Sequence, residues 1–276
     1  LYRRLEPDLV VHVALKPVVL GSLAARWAGR PPTLNILTGM GFVFTSQSLK
    51  ARLFRRPIAA VLGALLDVPG VRTVVQNAED LETLTAAGVL PRGRTALVRG
   101  SGVDAAHFSP LPEPDGIFIA AAVCRLLGDK GVYDLVEAAR ILRSRKSPVR
   151  VRLVGPIDPL NPTAVRREEV LGWQREGLVD WTGPVEDVRE VWSSAHAAVL
   201  PSHREGLPKA LVEAAACGRP IVTTDTTGCR EVVEEGVNGL LVPLKDPAAI
   251  AAALAKLAGD AGLRRRLGAA GRRRVT

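Results

Sequence analysis

A chain of 276 residues, 47% of them hydrophobic, can bury a sizeable core, so a disordered or fibrous protein is excluded. Its 37 Lys and Arg against 28 Asp and Glu leave a net charge of +9, which draws it toward anions such as a membrane surface or a lipid-linked diphosphate. Nucleic acid is not an expected partner, because neither zinc-finger spacing nor an aromatic RNA-binding motif occurs.

Aromatic residues make up only 4%, so the core must be built from Val, Leu, Ile and Ala, which suits parallel sheets under Ala-rich helices. Cys124, Cys217 and Cys229 form no Cys-x-x-Cys pair, which argues against a disulfide framework or a zinc site and for a reducing cytoplasm. No apolar run approaches the roughly 20 residues of a membrane span, and the first residues do not read as a signal peptide.

In chain order, residues 8–13 read as a buried strand, with Pro7 before it, and an Ala-rich helix follows near 18–28. Pro31-Pro32 breaks that helix, 33–37 is the next strand, and 38–42 is a glycine-punctuated loop. A helix is expected over 49–66 and a strand over 71–76. Asn77 then caps a helix that opens with Glu79 and Asp80, and 95–99 is a further strand. Three prolines and a glycine between 104 and 116 mark a linker.

After it the alternation restarts. Strands are expected at 117–123, 149–154, 179–182, 197–200, 221–224 and 239–242, and helices at 131–143, 165–176, 185–195, 208–216 and 248–258. Such runs of strand–helix units signal a parallel sheet. The domains expected are therefore 1–104, a linker at 105–116, and 117–276. The first starts in mid-pattern and reads as truncated, and the chain as missing both ends of a longer protein. Arg264-Arg265-Arg266 and Arg272-Arg273-Arg274 read as the exposed face of a terminal helix.

The strongest chemical signal runs from Pro201 to Pro220. Glu205 and Glu213 stand with seven residues between them. Gly206 loosens the backbone where a strand end turns into a helix, and Pro208 suits the first helical position. The first helical turn has N–H groups without intrahelical partners, and the segment Gly206, Leu207, Pro208 and Lys209 faces whatever lies beyond the strand ends, where a diphosphate fits. Glu213 can accept two hydroxyl hydrogen bonds from a ribose, and Glu205 can do the same for a sugar. Either glutamate alone would read as a solvated residue on a capped amphipathic helix.

A second signal is Cys124-Arg125-Leu-Leu-Gly128-Asp-Lys130-Gly131, between a strand and a helix. Arg125 and Lys130 bracket a short turn and can clamp a diphosphate, although two surface cations is the plainer reading of that string taken alone. Gly218-Arg-Pro-Ile-Val-Thr-Thr-Asp225 and Gly228 read as strand and turn residues beside the same crevice.

Together these strings resemble glycosyltransferase family 4, which has the GT-B fold: two Rossmann-like domains facing a cleft. In the first domain, His12-Val-Ala-Leu-Lys16-Pro17, Thr38-Gly-Met-Gly-Phe42 and Gly100-Ser-Gly-Val-Asp104 resemble the branch that transfers N-acetylhexosamines onto undecaprenyl-diphosphate-linked sugars. The resemblance implies a retaining glycosyltransferase for cell-surface polysaccharide assembly, using a nucleotide diphosphate sugar, UDP-linked, and a lipid-linked acceptor. Glu213 would bind the ribose, Glu205 the donor sugar, and Arg125 and Lys130 the departing diphosphate, with backbone amides at 206–209 completing that site. Many family members carry a histidine where this chain has Thr38-Gly39, so His12 and His203 stand only as candidates, and a lone histidine is more often structural.

No cofactor and no metal are expected, since no Asp-x-Asp motif occurs. The two carboxylates are read as binding groups, not as a hydrolytic pair. The protein is expected in the cytoplasm, peripheral at the inner membrane face, with Lys16, Arg52, Arg55 and Arg56 as candidates to meet the lipid. Two other readings stay open: a non-catalytic nucleotide-sugar-binding or assembly protein, and another GT-B enzyme such as a sugar-nucleotide epimerase.

Overall fold

In the computed structural model the described residues are 1–39, 44, 49–91 and 93–276, with the side chains of 49–52 not among them. Residues 40–42 of the expected glycine loop and the Arg52 side chain therefore lie outside the described residues. The chain divides into two compact units, Leu1–Ser101 and Gly102–Thr276.

The first unit holds four parallel strands in the order β1-β2-β3-β4: Val10–Val13, Thr33–Leu37, Val71–Val75 and Thr95–Leu97. Its helices are α1 (Tyr2–Leu5), α2 (Leu15–Trp27), α3 (Leu49–Leu66) and α4 (Ala78–Ala86). Asn77 caps α4 as expected, its side-chain oxygen accepting from the Asp80 amide at 2.7 Å. Because the strands follow one another in one direction, right-handed crossovers put the connecting helices on one face. Val18, Leu37, Leu62, Leu66, Val75 and Leu84 form the core beneath them. Among the described residues of this unit the other face is uncovered, with Val11 and Val13 about half exposed.

The second unit holds six parallel strands in the order β10-β9-β8-β5-β6-β7. They are β5 (Ile119–Val123), β6 (Arg150–Val154), β7 (Val179–Trp181), β8 (Ala197–Leu200), β9 (Ile221–Thr224) and β10 (Gly239–Val242). The helices are α5 (Val132–Ser144), α6 (Arg167–Arg175), α7 (Val188–Ser194), α8 (Lys209–Ala216), α9 (Thr227–Val232), α10 (Pro247–Gly259) and α11 (Ala261–Val275). Here both faces are covered. Leu135, Leu142, Leu254 and Leu257 fill one side, and Trp192, Leu211 and Cys229 the other. Residues 120–122 are all alanine and lie at the centre of the sheet, where small side chains let helices approach from both faces. This is the Rossmann order, and it reverses direction between β5 and β8, which opens a crevice beyond their C-terminal ends. Among the described residues no helix is long and apolar enough to cross a membrane.

The segment expected as a linker packs on the second unit. Residues 105–108 form a turn, and over 110–114 the prolines Pro110, Pro112 and Pro114 remove every second amide, so this strap leaves carbonyls that need donors from elsewhere. Arginines supply them. Arg272 donates to the carbonyls of Phe108 at 2.7 Å, Ala216 at 2.9 Å and Ala105 at 3.0 Å. Arg219 donates to the Pro112 carbonyl at 2.6 Å. Arg264 pairs with Glu113. The expectation that both arginine runs of the last helix face solvent is thereby corrected: Arg264 and Arg272 turn inward as staples, while Arg265, Arg266, Arg273 and Arg274 are exposed.

Candidate functional site

Beyond β5 the chain makes one turn of 3-10 helix, Gly128–Lys130, before α5 begins. Gly131 joins the two with φ 69°, a left-handed conformation that favours glycine. A Cβ there would also lie 2.0 Å from the carbonyl oxygen of Pro201, so only glycine lets the loop after β8 come this close. That approach sets Lys130 against Glu205. Their Nζ and Oε1 atoms are 2.5 Å apart, with the Glu205 side chain 9% exposed. Ser202 Oγ donates to the same Oε1 at 2.6 Å.

The loop carrying Glu205 is held from three further directions. The His203 amide donates to the Asp129 carbonyl at 2.9 Å, and its ring Nε2 lies 2.6 Å from Asp134 Oδ2 on α5. The Thr224 hydroxyl at the end of β9 donates to the Ser202 carbonyl. Gly228, expected in a turn, lies instead inside α9, where a Cβ would sit 2.5 Å from the Gly206 carbonyl oxygen and 2.6 Å from that of Glu205. Its missing side chain is what allows α9 to back the loop. Pro208 precedes α8 as its cap residue, with Lys209 the first helical residue, one place later than expected.

Glu213 lies on α8 with 6% of its surface exposed. Burial pushes its pKa up, while Lys209, whose Nζ is 3.3 Å away, opposes that shift. Arg125 Nη1 meets Asp158 Oδ2 at 2.7 Å in the loop after β6, and both side chains are substantially exposed. The expected residues thus fall into three groups along one edge of the sheet: Lys130 with Glu205, Glu213 with Lys209, and Arg125 with Asp158. No ion pair among the described residues joins one group to another.

Sequence reasoning missed Ser202, Asp134 and Asp158, which carry no motif of their own and matter only through the partners that folding gives them. His12 is buried and hydrogen-bonded on both ring nitrogens within the first unit. Its Nδ1 is 2.8 Å from Asn35 Oδ1, its Nε2 is 2.9 Å from the Tyr2 hydroxyl, and the ring packs where a Cβ on Gly21 would collide. Cys124, behind the Lys130 turn, has its thiol pKa pushed up to about 12 by burial, so it is an inert packing group.

The raised pKa of Glu213 has a consequence for stability. A carboxyl whose folded pKa is raised stabilises the fold only while protonated, and that contribution is lost as pH rises through the folded pKa. Glu213→Gln should therefore be more stable than wild type at neutral pH. The difference should fade below about pH 4, where the unfolded carboxyl is also protonated. Urea denaturation of both proteins across pH checks this, and equal stability at pH 7 would contradict it.

The model of the family described as glycosyl transferases group 1 matches residues 117–260. Over 275 residues the chain is 27% identical to the N,N'-diacetylbacillosaminyl-diphospho-undecaprenol alpha-1,3-N-acetylgalactosaminyltransferase of Campylobacter jejuni, spanning 95% of this chain and 70% of that protein. It is 35% identical over 213 residues to a D-inositol 3-phosphate glycosyltransferase of Geodermatophilus obscurus, spanning 71% of this chain and 43% of that one. Among solved structures, sucrose-phosphate synthase from Thermosynechococcus elongatus superposes with a TM-score of 0.81 at 26% identity, over 99% of this chain and 70% of that one. Anabaena HepE in complex with UDP and glucose gives 0.78 at 19% identity, over 97% of this chain and 73% of that one. The fold is GT-B, and with the family model matching just over half of its length, the chain belongs to the glycosyl transferases group 1.

Proposed function

We propose that this glycosyltransferase moves a hexose or N-acetylhexosamine from a UDP-sugar to a lipid-linked or glycan acceptor, with retention of anomeric configuration and without a metal or other cofactor, in cell-surface polysaccharide assembly. The observation that carries the reading is the Lys130–Glu205–Ser202 cluster, held at the crevice where the sheet changes direction. The undecaprenol-linked acceptor in the name of the Campylobacter relative and the UDP bound to HepE supply the substrate classes.

In glycosyl transfer negative charge builds on the leaving diphosphate as the sugar becomes oxocarbenium-like. Fixed cations and amide dipoles lower the barrier by meeting that charge. In this reading Lys130 exchanges Glu205 for the diphosphate, and backbone amides at the start of α8 add to the site. Arg125 swings from Asp158, an exposed pair that holds it weakly. Glu205, released from Lys130, accepts hydroxyls of the donor sugar, and Glu213 accepts those of the ribose. No side chain takes the role of nucleophile. The acceptor attacks from the leaving-group face, and its proton passes to the departing phosphate oxygen.

The acceptor's lipid places the protein at the inner face of the membrane. Lys16 and Arg56 are exposed on α2 and α3, and the same helices expose Leu20, Trp27, Leu53 and Phe54. Basic and apolar side chains together suit an anionic leaflet, at roughly 1 kcal/mol per well-placed cation.

Lys130→Ala should lower turnover by about 10² to 10³ while the protein stays folded, because the lost contact acts on the transition state. Nucleoside diphosphate release measured beside circular dichroism checks this, and a wild-type rate in the folded variant would end the clamp argument. Sedimentation with anionic vesicles should be clear at low salt, weaken as salt rises, and fall in a Trp27→Ser, Phe54→Ser double variant. If the protein stays in the supernatant at low salt, a soluble acceptor becomes the better reading.

A further inference from the structure

The second unit has a cavity of about 330 Å³ on the edge of its sheet opposite the candidate site. It lies where β8 and β9 begin, beside His196 and Pro220, and the proline-rich strap and α11 close it. Those strands are four residues long, so the two edges are roughly 13 Å apart along the strands. Four arginines line this cavity, Arg219, Arg264, Arg265 and Arg272, against the single carboxylate of Glu113. Burial pulls the pKa of His196 down, and its Nδ1 accepts from the Ile119 amide at 3.1 Å, so it serves as a neutral wall.

The four guanidinium groups are not equally committed. Arg264 is spent on Glu113 and on the carbonyls of Leu257 and Ala258. Arg272 uses both terminal nitrogens on strap and α8 carbonyls, leaving Nε. Arg219 is 2% exposed and donates from Nε to the Trp192 carbonyl at 2.8 Å and from Nη2 to that of Pro112. Among the described residues its Nη1 has no hydrogen-bond partner, and no carboxylate lies within ion-pair distance of it. Burial makes this guanidinium costly to hold charged, and its pKa is pulled down despite the charge of Glu113 across the cavity. Arg265 stands at the exposed rim with its whole donor fork available. Arg219, Arg265 and Arg272, each with a donor left over, thus line one small space. A tetrahedral dianion has enough acceptor oxygens for all three, and its charge would offset that of Arg219.

We propose that this cavity binds a phosphate-class dianion, either free in solution or presented as the phosphomonoester head group of a lipid. Ligand there would tie the strap to α11 and to the start of β9, and would be read separately from any diphosphate at Lys130.

The test is a calorimetric titration with inorganic phosphate at low ionic strength. Arg219→Gln also loosens the strap, so Arg265→Glu at the rim is the deciding variant. Phosphate should bind wild type and Lys130→Ala alike and bind Arg265→Glu more than about tenfold more weakly, because the variant loses a charge-assisted hydrogen bond and adds a like charge. A second arm compares vesicles of phosphatidate with vesicles of phosphatidylserine at equal surface charge. A preference for phosphatidate that Arg265→Glu abolishes, without binding of free phosphate, assigns the site to a lipid head group. The proposal is overturned if neither phosphate nor phosphatidate is preferred. It is also overturned if binding survives Arg265→Glu unchanged, or disappears in Lys130→Ala.

Discussion

Beyond the C-terminal ends of β5 and β8 two backbone segments come too close for any side chain to stand between them. Gly131 meets that constraint, with a positive φ and a carbonyl oxygen of Pro201 where its Cβ would be. Gly228 repeats the solution on the far side, against the carbonyls of Glu205 and Gly206. The loop after β8 is therefore wedged between a turn and a helix. The wedge presses Lys130 onto Glu205, 75 residues away in sequence. A largely buried ion pair gains little net stability, because desolvation of both ions offsets their attraction. Under the proposed function its value lies in placing an ammonium group at the mouth of the crevice, where a stronger anion can take it.

The second unit meets a different constraint at its opposite edge. Over 110–114 the prolines deprive the strap of the amides to pair as a strand, and its carbonyls would otherwise be left for water. Arg219, Arg264 and Arg272 turn that segment into part of the unit by donating to it. Charge that composition suggests belongs to the surface is thus partly structural. This is why net charge says less about partners than the placement of individual cations does.

Most strand and helix positions were legible from the sequence, because alternation of apolar runs with Gly and Asn punctuation is a local signal. The strand at 33–37 and the helix at 49–66 follow directly from it. The motif residues were legible as a set, but their pairing was not. Nothing in the spacing says that Glu205 faces Lys130 while Glu213 faces Lys209 and Arg125 faces Asp158. Those partnerships depend on strand order, which brings β5 beside β8. The strap read as a linker because its proline content is local, whereas the arginines that bind it come from far along the chain. Gly228 read as a turn residue because a glycine kept for close approach in a helix looks the same in sequence as one kept for its backbone.

Under the proposed function Glu205 holds Lys130 only until a diphosphate takes it. Glu205→Gln removes the competitor while leaving an uncharged side chain of the same shape. It also leaves Lys130 without its counter-ion in the free protein, a cost that a bound diphosphate would relieve. Calorimetric affinity for UDP, compared between wild type and Glu205→Gln, tests this directly. UDP should bind the variant more tightly, although its sugar-transfer rate falls. Unchanged or weaker UDP binding in a folded Glu205→Gln protein would contradict it.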